Sequence, residues 1–365
     1  MKVVVAPDKF AGTLSAAEAA EAMATGWRQV RPDDETVLVP IADGGEGTID
    51  VVASVRGVTR HVAEVADARG RACEAAWLSL PDGRTLVEAA QAVGLSGLAP
   101  EDRDPLTATS YGVGQLIAAA AAEGASEIVT TLGGSATSDG GAGAVTALGH
   151  RLLRADGNRL KVGALPLRQL DRVELGPALG TTVTVACDVN NPLLGPAGAA
   201  TVFGPQKGAG PDDVPALEAA LTLWADVVER DVPGGPWRHL PGAGAAGGLG
   251  FALAAFVGAR LAPGAATIAE LVGFHAAVAD ADVVITGEGK LDGQTAHGKA
   301  PGYVAEQARA RGARVLAIAG QITDGAEALA DAARALGPEG FDRPAQLCAE
   351  RAAELATQAV DQRWA

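Results

Sequence analysis

The chain has 365 residues, 48% of them hydrophobic and 20% charged, which is typical of a soluble globular protein large enough for two domains. It carries 29 Lys and Arg against 44 Asp and Glu, a formal charge of −15. Such an acidic surface repels phosphate backbones and anionic lipids. We therefore expect neither a nucleic-acid partner nor a membrane partner.

The cysteines and the uncharged segments bear on the compartment. Cys73, Cys187 and Cys348 lie far apart and give neither a disulfide framework nor a zinc-binding spacing. The opening MKVVVAPDKF has too short an apolar stretch for a signal peptide. The uncharged stretch 241–259 is rich in glycine and alanine, which favours a buried turn and helix over a membrane span. We predict a cytoplasmic protein.

The N-terminal segment predicts a parallel βαβα unit. Val3–Ala6 and Thr36–Val39 are apolar, β-branched runs typical of buried strands. Between them a helix is predicted to follow a cap at Thr13 or Ser15, with Glu18 placed to complete a capping box. A second helix is predicted to begin after the second strand.

Beyond a domain boundary near Gly57, the hydrophobic period changes to about two. The turns ARGR and PDGR divide the segment 58–93 into short strands, which predicts hairpins. The elements predicted next are a helix within 104–124, strands at 127–132 and 181–186, and a helix at 214–228. The predicted elements near the C-terminus alternate between strand and helix, as in the N-terminal segment: the strand ADVVITG, a helix at 301–311 and the strand ARVLAIAG. Both ends are therefore predicted to build one sheet, with the middle of the chain inserted between them.

One pattern occurs three times: a β-branched apolar run, then a glycine-rich turn bearing acids. The copies are VLVPIADGGEGT (37–48), IVTTLGGSATSDGGAGA (128–144) and VVITGEGKLDGQTAHGKAP (283–301), and KVVVAPDKFAGTLSA at the start is related. Each copy is typical of a parallel strand that leads through a loop into a helix. Such loops converge at one sheet edge and present backbone N–H groups, so the pattern favours a site for a small anionic molecule.

The side chains of these loops favour phosphoryl transfer, which needs positive groups, a metal and a carboxylate near the attacking hydroxyl. Acids and lysines occur together in DKFAG and in the continuous stretch GEGKLDGQTAHGKAP. At some positions a structural role is the alternative to a role in the site. Asp43 could cap the following helix, and His297 could be an ordinary polar residue of a loop. No P-loop sequence is present, and GAGAAG at 242–247 lacks the preceding strand that a dinucleotide-binding fingerprint requires.

In these residues the chain resembles the bacterial glycerate kinases of the type I family. The resemblance rests on ordered blocks over nearly the whole chain: APDKF, PIADGGEGT, DPLTATSYGVGQL, GGSATSDGGAG, CDVNNPLLGPAGAA, FGPQKGA, GAGAAGGLG and TGEGKLDGQTAHGKAP. It weakens after about Gly320. Ala11, Ser138, Asn190 and Lys290 stand where the family often has lysine, asparagine, aspartate and arginine.

The resemblance implies ATP-dependent phosphorylation of D-glycerate, usually to 2-phosphoglycerate, with Mg2+ assisting. It also implies an α/β fold in which a flavodoxin-like or Rossmann-like parallel-sheet domain is interrupted by an inserted mixed α/β domain, with the site in the interdomain cleft. We place the first domain at 1–57 plus 266–365 and the inserted domain at 58–265. A monomer or a homodimer is expected.

The resemblance and the loop chemistry together suggest a role for each candidate residue. The hypothesised catalytic residues are Asp8, Lys9, Asp188 and Asp292, of which Asp188 and Asp292 are also the predicted Mg2+ ligands. The predicted ATP-binding residues are Asp43, Gly44, Gly45, Glu46, Gly133, Gly134, Lys207, Gly287, Glu288, Lys290 and Lys299. The predicted substrate-binding residues are Thr109, Ser110, Ser135, Asp139, Gln294 and His297.

Three questions stay open at this point. The sequence does not separate the aspartate that acts as base from the one that binds metal. The product could instead be 3-phosphoglycerate. A two-domain protein that binds or senses an organic acid without catalysis is the alternative from another functional class.

Overall fold

The structure of the chain, a computed structural model, describes residues 1–293, 299–323, 327–362 and 364. The strands are β1 (Lys2–Val5), β2 (Glu35–Leu38), β3 (Thr59–Ala66), β4 (Ala72–Ser79), β5 (Arg84–Glu88), β6 (Glu127–Thr131), β7 (Arg151–Leu153), β8 (Arg172–Glu174), β9 (Thr182–Ala186), β10 (Arg260–Ala262), β11 (Val283–Leu291), β12 (Arg314–Ile322) and β13 (Ala332–Ala335). The helices are α1 (Ala16–Val30), α2 (Thr48–Val55), α3 (Ala90–Val93), α4 (Tyr111–Ala122), α5 (Ala142–Ala147), α6 (Ala199–Phe203), α7 (Asp213–Asp231), α8 (Ala245–Val257), α9 (Gly264–Leu271), α10 (Phe274–Val278), α11 (Ala300–Arg309) and α12 (Pro344–Asp361).

The chain forms two compact units. Unit 1 comprises Met1–Asp43, Asp50–Arg56 and Gly264–Ala365, and unit 2 comprises Gly44–Ile49 and Gly57–Pro263. The two domain ranges predicted from the sequence stay a prediction. They differ from these units mainly at Gly44–Ile49, which the prediction assigns to the first domain. That short segment joins unit 2 because its backbone N–H groups at Gly47 and Ile49 donate hydrogen bonds to Glu88 of that unit.

Unit 1 is built on a five-stranded sheet in the order β13–β12–β11–β1–β2, with every neighbouring pair parallel. Counted within the unit, this is the 2-1-3-4-5 order of flavodoxin-like folds. Val3, Val5 and Ile285 on the sheet pack with Trp27 of α1 and Leu355 of α12, all buried. The chain direction of strand addition reverses between β1 and β11, so a ligand crevice is expected at the carboxyl ends of these two strands.

Unit 2 is built on a mixed six-stranded sheet in the order β10–β9–β6–β5–β4–β3. The pairs β3–β4 and β4–β5 are antiparallel, whereas β5–β6, β6–β9 and β9–β10 are parallel. Strands β7 and β8 form a separate antiparallel pair. Two buried apolar clusters form the core of the unit. One is centred on the sheet and α4, and the other is centred on α7 and α8. The predicted α/β fold class, a flavodoxin-like parallel sheet with a mixed α/β insertion, is confirmed.

The individual elements follow the sequence patterns closely. Ser15 caps α1, and the reciprocal bonds with Glu18 complete the predicted capping box. The turns ARGR and PDGR separate β3, β4 and β5, as the period of two predicted. Each copy of the repeated pattern is a strand that leads into a helix: β2 into α2, β6 into α5 and β11 into α11. The strand β6, however, belongs to the unit 2 sheet, so only the loops after β1, β2 and β11 share one sheet edge.

The glycine-rich stretch 241–259 contains α8. Its first turn is interrupted, since Ala246, Gly247 and Gly248 have left-handed backbone angles. A Cβ atom on Gly247 would lie 2.1 Å from the Thr137 carbonyl oxygen, so these glycines permit a close approach of α8 to the loop after β6. Among the described residues, no helix has the length and apolar character needed to span a membrane.

Candidate active site

A cavity of about 400 Å³ opens at the carboxyl ends of the unit 1 strands. We call it the unit 1 cavity. Seven of the predicted site residues line it: Asp8, Lys9, Asp43, Glu288, Lys290, Asp292 and Lys299. They come from the loops after β1 and β2, from the end of β11 and from the start of α11. The parallel topology therefore gathers residues that are almost 300 positions apart into one pocket.

Backbone hydrogen bonds fix the loop that follows β1. The Asp8 N–H donates to the Gly287 carbonyl at 2.8 Å, which ties the loop to β11. Phe10 and Leu14 form a reciprocal backbone pair, with N···O distances of 2.9 and 3.0 Å. Gly287 itself is buried within β11. Asp8 and Lys9 are thus presented on a rigid turn, as a reacting group requires.

Asp8 is a buried carboxyl group with an altered proton affinity. Burial raises its pKa to about 8, and the negative charges of Asp43 and then Glu288 act in the same direction. The Lys9 N–H, 2.6 Å from Asp8 Oδ1, and the Lys9 charge lower the pKa only in part. A carboxyl group with a pKa near neutrality at a strand end is a candidate general base.

Two lysines at the cavity are paired with acids. Lys290 Nζ lies 3.4 Å from Asp292 Oδ2, and Lys299 Nζ lies 3.9 Å from Glu288 Oε2. These exposed or half-exposed pairs contribute little stability, since surface ion pairs are worth about 0–1 kcal/mol. The lysines are therefore easily redirected toward a phosphate group.

A second group of predicted residues surrounds the loop after β6 in unit 2. We call this group the unit 2 cluster; it comprises Thr109, Ser110, Ser135, Asp139 and Lys207. Asp139 is completely buried and accepts hydrogen bonds from the Ser110 N–H and hydroxyl and from the N–H groups of Gly141 and Gly143, at 2.9–3.1 Å. Burial raises the pKa of Asp139, and these bonds oppose the rise by stabilising the carboxylate. Since Asp139 and Ser110 are both buried and bonded to each other, we propose that they position this loop, and the direct substrate contact of either residue stays a prediction.

Lys207 is the buried cation of the unit 2 cluster. Its Nζ donates to the Thr137 carbonyl at 2.6 Å and to Ser135 Oγ at 3.4 Å. Burial lowers its pKa to about 7, although the Asp139 charge acts in the opposite direction. The side chain of Thr109 is also buried here, and its Oγ1 accepts from the Tyr111 N–H at 3.2 Å.

The loop Gly44–Ile49 is held in unit 2 by a residue that the sequence analysis missed. The buried Glu88, at the end of β5, accepts from the N–H groups of Gly47 and Ile49 at 3.0 and 2.8 Å. Gly44 accepts from the Gly133 N–H at 3.1 Å, and Glu46 accepts from the Ser96 hydroxyl. An acid inside the apolar run TLVEAAQAV was the available signal, because a buried charge needs donors.

Two further predicted residues lie in unit 2, and two fall outside the described part. Asp188 is half-buried on the loop after β9 in unit 2. The carbonyl of Gly134 accepts from the Leu95 N–H at 2.7 Å. Gln294 and His297 fall outside the described residues.

Comparison with known proteins decides the family. The model of the glycerate kinase family matches residues 3–362. The chain belongs to the glycerate kinase family. It is therefore an enzyme, a kinase that transfers a phosphoryl group. The resemblance seen in the sequence blocks is confirmed.

Members of the glycerate kinase family with curated names are similar over most of their length. The glycerate 2-kinase of Escherichia coli K12 is 43% identical over 334 residues, covering 89% of this chain and 86% of that protein. The glycerate kinase of Halalkalibacterium halodurans is 42% identical over 332 residues, covering 90% and 87%. A crystal structure from Salmonella typhimurium LT2, provisionally assigned as glycerate kinase 2, has a TM-score of 0.90 at 38% identity and covers 100% of both chains.

The carboxylates of the unit 1 cavity have the oxygen chemistry that Mg2+, the usual metal of kinases, prefers. Among the described residues, no three His, Cys, Asp or Glu side chains form a metal-binding group by themselves. Mg2+ in kinases is usually held by one or two carboxylates together with substrate phosphates and water, so a complete protein cage is not required. Glu288 and Asp292 line the unit 1 cavity and could supply such carboxylates.

Proposed function

We propose that this glycerate kinase transfers the γ-phosphoryl group of ATP to the 2-hydroxyl of D-glycerate, giving ADP and 2-phosphoglycerate. The observation that carries the proposal is the buried Asp8 beside three lysines at the strand ends of a flavodoxin-like sheet. The family match and the name of the Escherichia coli relative, glycerate 2-kinase, support the choice of substrate and position.

Asp8 is the proposed general base. A pKa near 8 makes its carboxylate a stronger base than an ordinary aspartate, and about a tenth of the Asp8 side chains are ionised at pH 7, with the fraction rising steeply above that pH. As the glycerate oxygen attacks, its proton passes to Asp8. The new O–P bond forms at the γ-phosphorus while the bond from that phosphorus to the β,γ-bridging oxygen breaks.

The lysines of the unit 1 cavity are the proposed partners of the developing charge. Lys9, Lys290 and Lys299 are compact ammonium groups on flexible stems, which can follow a phosphoryl group as it moves. Asp292 would hold Mg2+, which supplies charge neutralisation across the phosphates when bound. Asp188 as a second metal ligand and Lys207 as a phosphate contact stay predictions.

The proposal also concerns the compartment. We infer a cytoplasmic enzyme, because the three cysteines are all unpaired and a reducing environment suits free thiols.

The decisive experiment is phosphorus NMR of the product formed from D-glycerate and MgATP. We expect D-glycerate-dependent formation of ADP and a phosphorus signal coupled to the single proton on carbon 2. Coupling to the two protons on carbon 3 would show that 3-phosphoglycerate is made instead. Binding of D-glycerate without ADP formation would support the alternative of an organic-acid-binding protein and would contradict the proposal.

A further inference from the structure

The residues that line the unit 1 cavity change in character along the sheet edge. At the β1 and β2 end the lining is charged, with Asp8, Lys9 and Asp43. The end of β11 adds Glu288 and Lys290. At the other end, beyond β12 and β13, the lining is formed by Gln321, Leu336, Gly337, Gly340 and Phe341. The cavity therefore has an ionic end and a largely apolar end.

Phe341 is the unusual residue of the apolar end. It is 72% exposed, the highest value among the exposed large hydrophobic side chains of the described residues. It closes a short 3-10 turn, Pro338–Phe341, that follows β13. The neighbouring Leu336 is buried, and the turn is tied back by the Gly337 N–H, which donates to the Gly320 carbonyl at 3.3 Å. Because Phe341 also lines the cavity, its exposed ring offers a flat apolar surface to a bound ligand.

The spacing of the strands limits what can reach both ends. Neighbouring strands lie about 4.8 Å apart, so the end of β13 and the end of β1 are separated by three spacings, or about 14 Å. A three-carbon acid such as glycerate is too short to contact Phe341 and Asp8 together. A molecule that does so is elongated, with a flat apolar group at one end and negative charges at the other.

We propose that the purine base of ATP binds at the apolar end, against Phe341 and Leu336, with the Gln321 amide available to its polar edge. This assignment rests on the proposed function, because it takes ATP as the phosphoryl donor. The phosphates then run along the carboxyl ends of β12 and β11 toward Lys9, Lys290 and Lys299. Stacking of a base on an aromatic ring is a recurrent source of affinity and tolerates small changes of the ring.

A tryptophan placed at this position reports on base binding directly. The five native tryptophans are all buried, so in Phe341→Trp an exposed indole gives the acrylamide-accessible part of the emission. We expect MgATP and ADP to protect this tryptophan from acrylamide, while D-glycerate and tripolyphosphate do not. The matched control is Val360→Trp, which changes an exposed residue of α12 in the same unit that does not line the cavity, and we expect no protection there.

Steady-state kinetics provide a second measurement. Phe341→Ala is expected to raise KM for ATP about fivefold or more while KM for D-glycerate and kcat stay within about twofold. Phe341→Tyr is expected to retain the wild-type KM for ATP, because it keeps the ring. Val360→Ala is the kinetic control.

Three results would overturn the assignment: saturating ATP leaves the tryptophan unprotected, tripolyphosphate protects it as well as ATP does, or Phe341→Ala raises KM for D-glycerate alone. Failure of the proposed function is recognised separately. If the wild-type protein forms no ADP with D-glycerate, protection by ADP in Phe341→Trp still tests the base site.

Discussion

Asp8 shows how burial and neighbouring charges set the chemistry of one residue. Its carboxyl group is 7% exposed and lies near two other acids, so ionisation is disfavoured and the pKa is raised to about 8. An aspartate in water would be ionised from pH 5 upward and would be a weak base. The same side chain in this pocket titrates in the range where an enzyme works.

The first prediction concerns this titration. If Asp8 is the base, kcat rises with pH through about 8, as the carboxylate form becomes populated. Asp43→Asn removes a negative neighbour that raises the Asp8 pKa, so the rise in kcat should move to lower pH. The measurement is kcat from pH 5.5 to 9.5 at saturating substrates.

Asp33→Asn is the control for Asp43→Asn, since it removes an equal charge from an exposed position. An unchanged pH profile in Asp43→Asn would show that Asp8 does not control the rate.

The second prediction concerns the buried cation of unit 2. Lys207→Met keeps a long apolar stem and removes the ammonium group that contacts Thr137 and Ser135. If this charge assists phosphoryl transfer, kcat falls about 100-fold or more, the usual effect of losing one stabilising donor. Lys161→Met, at an exposed position, should leave kcat unchanged. A kcat within about threefold of wild type in a folded Lys207→Met would limit Lys207 to a structural role.

At the scale of the element, the loop between β6 and α5 is organised by close contacts rather than by side-chain bulk. Trp224 of α7 donates from Nε1 to the Gly140 carbonyl at 2.9 Å. Gly143 lies so close to its neighbours that an added Cβ would be 2.3 Å from Thr109 Oγ1 and 2.6 Å from the Tyr111 nitrogen. Gly140 in the loop and Gly143 in α5 therefore permit the packing that orients Asp139.

The third prediction follows from that packing. Gly143→Ala forces the α5 start away from α4 and weakens the bond from the Gly143 N–H to Asp139, so we expect a loss of about 2–4 kcal/mol in the free energy of unfolding. Gly57→Ala is the matched control, because its Cβ would meet no atom within 4 Å and its φ is not positive. Urea unfolding of both variants is the measurement. Equal stability of the two would contradict the packing argument.

At the scale of the whole molecule, charge is the dominant feature. The protein carries a formal net charge of −15, and the proposed substrates, D-glycerate and ATP, are anions. The unit 1 cavity does not reverse this charge locally, since Lys290 and Lys299 are paired with Asp292 and Glu288. The long-range field therefore opposes the approach of glycerate.

The fourth prediction is a positive salt effect on substrate capture. Raising the ionic strength from about 0.01 to 0.15 M shortens the screening length from about 30 to 8 Å. We expect kcat/KM for D-glycerate to rise about two- to fivefold at fixed saturating MgATP, because repulsion is screened. Sucrose at equal osmolality should have no such effect. A fall in kcat/KM with salt would show that the cavity lysines dominate the field.

Much of the fold follows from local patterns in the sequence. Three kinds of feature depend on neighbouring residues alone: the capping box at Ser15, the hairpin turns near Gly70 and Gly83, and the strand–loop–helix pattern at Asp43. Backbone conformation and hydrophobic period are properties of a few consecutive residues, so they are readable before any tertiary contact is known. The resemblance to the glycerate kinases likewise rests on contiguous blocks.

Other features were decided only by tertiary structure. The repeated sequence pattern does not reveal that β6 belongs to a different sheet from β2 and β11, because sheet order depends on long-range pairing. The pKa of Asp8, the two N–H groups that Glu88 binds and the place of Phe341 at the cavity depend on residues distant in the chain. Burial and electrostatic interaction are set by distance in space, and a linear sequence does not contain those distances.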